Sequence, residues 1–167
     1  TQIQASLKQL KIITKTMDAQ LGVRLDPGGE KIFLVDHRGY SSVLIVLTDQ
    51  KSRPSSWASA GIAASSHLLN KRLQAGEFPP CCRDAHSSQD VVLKWNVADG
   101  RDRCRIAETA GFNPMQSICV RLAHDGNSLG YLVAELEDNL TVDDIDDEEI
   151  NLLGEMAGDL AYALNVV

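Results

Sequence analysis

Cys119, Arg121, Tyr131 and Glu135 have the types and spacing to converge on one small ligand. They fall in two alternating segments, QSICVRLAH at 116–124 and LGYLVAEL at 129–136, either side of the turn signal Asp125-Gly126-Asn127. A two-residue loop would pair Cys119 with Leu132 and mix polar with apolar side chains. A three-residue loop pairs Cys119 with Val133 and Arg121 with Tyr131. It leaves Ile118, Val120, Leu122, Leu132, Ala134 and Leu136 together on the other face. A one-residue slip would bury Arg121 and Glu135 in the core, at a cost of several kcal/mol. The pattern therefore predicts the three-residue loop, with Asn127 in the left-handed conformation. The mixed face then offers a few polar groups in an apolar wall, as a pocket requires. Arg121 can hold a carboxylate or phosphate through two parallel hydrogen bonds. The plainer alternative is a cross-strand Arg121–Glu135 pair on a partly wet sheet.

Trp57, Trp95, Tyr40 and Phe78 are large groups in a chain with only 5% aromatic residues. Trp57 and Trp95 are taken as lining groups for the same ligand, with core packing as the alternative. Cys81-Cys82 with His86 and Cys104 offers soft ligands for a metal or for haem. There is no CxxC pair and no CxxCH motif, and a structural zinc site wants closer, regular pairs. Unliganded thiols are therefore the default, and haem or metal is disfavoured. A disulfide between adjacent residues is strained, so Cys81-Cys82 suggests a reduced, cytoplasmic setting.

The 167 residues, 44% hydrophobic and 23% charged, suit one globular domain spanning 1–167. A net charge of −7 with scattered Lys and Arg argues against a nucleic-acid surface. No apolar run is long enough to cross a membrane, and the polar N-terminus is unlike a signal peptide. The start at Thr1 suggests a segment of a longer protein.

These groups need positioning elements. Ile3, Leu7, Leu10, Thr14, Met17 and Leu21 recur at three and four, which predicts an N-terminal connecting helix over 1–21. Segments 31–37 and 42–48 are β-rich and suggest a hairpin. The second is apolar on both faces, as in a central strand covered on both sides. The Ala/Ser-rich stretch predicts a helix from Trp57 to Gln74, and 77–88 reads as a loop. Segment 90–97 alternates like a strand, and 101–111 suits a short helix. A C-terminal connecting helix over 146–165 starts amid acidic residues, where its dipole favours them. Gly154 and Gly158 each cost it about 1 kcal/mol against Ala, which suggests close approach to a neighbouring surface.

The closing segments, SICVRLAHDGNSLGYLVAEL followed by INLLGEMAGDLAYAL, resemble the second half of a GAF domain. Leu129-Gly130, Leu152-Leu153, Met156-Ala157, Leu160-Ala161 and Ala163-Leu164 match its recurring pattern. The likeness covers almost the whole chain but is specific only after about Ser117. It implies an α+β, PAS-related fold: a central antiparallel sheet of five to six strands, terminal helices on one face, pocket-forming loops and short helices on the other. It further implies a small-molecule-sensing domain of a cytoplasmic signalling protein, such as a sensor histidine kinase of a two-component system. The domain itself would not be an enzyme, and it would form a homodimer through its terminal helices. The sequence names neither ligand nor cofactor. Asn70-Lys71 lacks the rest of the cyclic-nucleotide motif, and Cys82 and Cys104 are followed by Arg where bilin-binding members carry His. Two alternatives stand beside this reading. One is a thiol-dependent enzyme resembling the free methionine sulfoxide reductases; the other is a ligand-free dimerisation module.

Overall fold

The structure, a computed structural model, describes residues 21–25, 32–36, 40–61, 67–88, 90–96, 116–137 and 139–165. The expected N-terminal helix, except Leu21, and the expected short helix over 101–111 lie outside these residues. Leu21 itself opens a strand, β1 (Leu21–Leu25), which pairs antiparallel with β2 (Ile32–Asp36) as a separate two-stranded sheet.

The main sheet has five antiparallel strands. In chain order they are β3 (Tyr40–Thr48), β4 (Pro54–Gly61), β5 (Val92–Asn96), β6 (Gln116–His124) and β7 (Asn127–Leu136). In space they run β4-β3-β7-β6-β5. Two short helices, α1 (His67–Gln74) and α2 (Pro80–Ser87), interrupt the strands, and a 3-10 turn (Val142–Asp144) precedes the closing helix α3 (Asp147–Asn165). The period-2 pattern of the strands divides the core into two layers. Val43, Ile45, Ile118, Val120, Leu122, Leu132 and Ala134 pack with Leu153, Ala157 and Leu160 of α3. Leu44, Val46, Trp95, Cys119, Tyr131 and Val133 face the opposite way, against Leu69 and Leu73 of α1 and Cys81, Cys82 and Ala85 of α2. β3 is apolar on both faces because both are covered, as its sequence suggests.

Three local expectations are corrected. The strand at 32–36 pairs with β1, and β3 pairs with β4 and β7 instead. Of the helix expected over 57–74, residues 57–61 belong instead to edge strand β4, and among the described residues the helical part is 67–74. The helix propensity of Ala is a weak preference, and pairing along β3 overrides it. Pro54 opens the strand at a sheet edge, where its missing N–H costs least. The expected loop at 77–88 contains α2, because Pro80 occupies its first turn, where proline fits a helix.

The β6–β7 register is the expected one, with Cys119 opposite Val133 and Arg121 opposite Tyr131. Its cause differs. The loop is the two-residue turn Asp125-Gly126, with φ of 49° and 78°, and His124 pairs with Asn127. The extra residue is Leu129, a bulge between the Leu122–Gly130 and Ala123–Ser128 pairs. Asp125, not Asn127, takes the left-handed conformation.

α3 is capped by Asp146, whose Oδ1 accepts the Glu149 N–H at 2.8 Å. A Cβ on Gly154 would meet only Val92, at 3.9 Å, and one on Gly158 would meet nothing within 4 Å. Neither glycine is required for packing among the described residues.

Candidate functional site

β6 carries both layers on alternate residues. Ile118, Val120 and Leu122 lie under α3, whereas Ser117, Cys119 and Arg121 point to the side covered by α1 and α2. On that second side, α2 is fixed to three consecutive strands. Trp95 of β5 donates its indole N–H to Asp84 Oδ2 at 3.0 Å. Arg121 of β6 donates from Nη1 to the Ser88 carbonyl at 3.2 Å. Tyr131 of β7 places its hydroxyl 2.7 Å from His86 Nδ1. Phe78 stands edge-on to the Tyr131 ring, with centroids 5.6 Å apart.

Beneath α2 three thiols meet. The sulfurs of Cys81, Cys82 and Cys119 all lie within 4.8 Å of one another, and those of Cys82 and Cys119 are 4.0 Å apart. All three residues are free cysteines with at most 3% of their surface exposed. The vicinal pair enters from the first turn of α2, where the Cys82 N–H bonds the Pro79 carbonyl at 3.0 Å. Cys119 enters from the sheet. The three titrate as a cluster. Hydrogen bonding to Cys119 raises Cys81 well above its ordinary value, and burial raises Cys82. Burial opposes ionisation of Cys119 as well, but hydrogen bonds from the other two thiols outweigh it and hold Cys119 below its ordinary value.

Glu135 lies on the same face, opposite Ser117 on β6 and hydrogen-bonded by the Ser42 hydroxyl of β3. Burial lifts its carboxyl to about 8, against the pull of the Ser42 bond and with a smaller push from Cys81. The register thus sets Arg121 against Tyr131 and Glu135 against Ser117, which replaces the plainer Arg121–Glu135 cross-strand pairing. Burial also raises the Tyr131 phenol.

Of the six residues singled out from sequence, Cys119, Tyr131 and Trp95 join one buried layer, and Trp57 packs at its border. Trp57 also donates its indole N–H to Asn70 of α1 at 2.8 Å. Arg121 and Glu135 lie on the same face, with the Cys119–Val133 pair between them. Trp95 is 1% exposed and acts as a core residue as well as an anchor for α2. Tyr40 belongs to the opposite layer, with its hydroxyl donating to Glu149 of α3 at 2.7 Å. Sequence reasoning missed Asp84 and Ser88, and the gathering of Cys81 and Cys82 onto Cys119. Reading Pro80 as the first residue of a helix would have placed the cysteine pair, Asp84 and Ala85 on successive turns.

The architecture is shared with known proteins. The chain is similar to the crystal structure of the GAF domain region of a protein provisionally described as a membrane protein, from Geobacter sulfurreducens PCA. The TM-score is 0.50 at 20% sequence identity, over 77% of this chain and 83% of that one. No protein-family profile matches the sequence, and no curated protein does either. The fold is GAF-like: an α+β module with a five-stranded antiparallel sheet and, among the described residues, three α-helices. No helix among the described residues is long and apolar enough to cross a membrane.

Proposed function

We propose that this chain is a small-molecule-sensing regulatory domain of a cytoplasmic signalling protein, with a sensor histidine kinase as one example. A ligand would engage the layer of Cys119, Arg121, Tyr131 and Glu135, with Trp95 inside it and Trp57 at its border, and the response would leave through the terminal helices of a homodimer. One observation carries this reading: β6 supplies alternate side chains to the polar layer and to the bed of α3. Packed interiors resist continuous deformation, so a shift of β6 on one side must be accommodated on the other. Only differential binding to two such arrangements can pass a signal.

Thermal-shift screening of a metabolite library against the purified protein tests this. Hits should stabilise the wild type and lose that effect in Arg121→Ala. An absence of hits, or hits indifferent to Arg121→Ala, would count against the pocket.

A thiol-dependent redox enzyme is the second reading, favoured by the 4.0 Å approach of Cys82 to Cys119. A reductase of this type would take the sulfoxide oxygen away as water while two thiols become a disulfide. Such an enzyme must admit its substrate to a sulfur, and Cys119 is 0% exposed beneath α2. Turnover of a free sulfoxide that vanishes in Cys119→Ser would establish this reading over the first.

A further inference from the structure

We infer that Cys81, Cys82 and Cys119 form a three-sulfur site for a trivalent metalloid of the arsenic class, taken up as its neutral hydroxide. This goes beyond the sensory reading and does not depend on it. Three sulfurs from two separate elements converge within 4.8 Å of one another, and no fourth His, Cys, Asp or Glu joins the group among the described residues. Zinc in structural sites takes four ligands in a tetrahedron, so three sulfurs serve it poorly. The imidazole of His86 is turned to the Tyr131 hydroxyl at 2.7 Å.

Charge selects further among the soft centres that thiolates prefer. Three thiolates around a monovalent ion leave two negative charges, and around a divalent ion one. Around a trivalent centre they leave none. The site lies in the buried layer that also holds Leu73, Ala85, Trp95 and Val133, and its three cysteines are almost wholly enclosed. An uncompensated charge in such a place costs several kcal/mol even after relaxation. A neutral product carries no such penalty, and a small uncharged hydroxide reaches the thiols more readily than a hydrated cation.

The reaction balances without an oxidant. Each thiol gives its proton to one hydroxyl of arsenous acid, which leaves as water. An arsenic–sulfur bond replaces each arsenic–oxygen bond, and arsenic stays trivalent throughout. Local opening of α2, only eight residues long, admits the hydroxide.

Arsenite titration of the reduced protein, followed by native mass spectrometry and by sulfur-to-arsenic absorbance in the near ultraviolet, tests the site. The wild type and Cys104→Ser should both gain one arsenic atom less three hydrogens. Cys82→Ser and Cys119→Ser should bind arsenite at least about a hundredfold more weakly. Each should keep the wild-type circular dichroism spectrum and a cooperative urea transition, which shows that the layer has folded. The inference is overturned by no arsenic on the folded wild type, by binding that survives Cys119→Ser, by loss in Cys104→Ser, or by zinc displacing arsenic at equal concentration.

Discussion

The Tyr131 hydroxyl and His86 Nδ1, 2.7 Å apart, tie the central strand β7 to the second short helix. Tyr131 is 2% exposed, whereas His86 is exposed, so the bond spans the boundary between sheet and surface. A typical hydrogen bond contributes about 1 kcal/mol net. Tyr131→Phe should therefore cost about 1 kcal/mol in urea unfolding, with the same coupling in a double-mutant cycle with His86→Ala. Additive single effects would contradict the contact.

Glu135 should make stability pH-dependent. Its ordinary value is 4.5 and burial lifts it to about 8. Between these values the unfolded chain is ionised while the folded chain keeps the proton. The folded state then binds more protons, and stability falls as pH rises through this window. The contribution is complete below the lower value and lost above the upper. Glu135→Gln keeps the shape and removes the charge, so its stability should decline less between those limits, by up to about 5 kcal/mol. Parallel pH profiles of the two proteins would show that the carboxyl titrates normally.

Gly130 should be irreplaceable. Its φ is 154°, and a Cβ there would overlap the Val46 carbonyl oxygen and stand 2.9 Å from Leu47 Cα, both backbone atoms of β3. Gly130→Ala should lose at least about 3 kcal/mol by chemical denaturation. Gly126, at φ 78° in open space, should lose only about 1 kcal/mol on the same change. Equal losses at the two sites would show that conformation, not the close approach of β7 to β3, sets the cost.

Gly158 separates fold from assembly. Nothing among the described residues lies within 4 Å of a Cβ there, so Gly158→Ala should stabilise an isolated chain by up to about 1 kcal/mol. If two copies approach closely along α3, the same change should weaken their association in sedimentation experiments. Stabilisation with unchanged association would move the dimer contact elsewhere.

What the sequence revealed follows from how local each signal is. The β6–β7 pairing was legible because Arg121 and Glu135 on one face and Ile118 and Leu132 on the other permit only one register. The bulge at Leu129 that produces it was not, since a turn and a bulge can give the same offset. β4 was misread because Ala and Ser favour a helix weakly, while pairing with β3 depends on residues distant in the chain. The mixed face of Cys119, Arg121, Tyr131 and Glu135 emerged from alternation alone. The arrival of Cys81 and Cys82 over Cys119 did not, because no spacing rule links a helix start to a strand in another part of the chain.

The central claim is that events in the Cys119–Tyr131 layer reach α3 through β6. Spin labels at Glu155→Cys, exposed on α3, in a Cys104→Ser background report this most directly through the distance between the two copies of a dimer. The distance distribution should shift at saturation with a small molecule whose binding requires Arg121. A distribution unchanged at saturation would contradict the account.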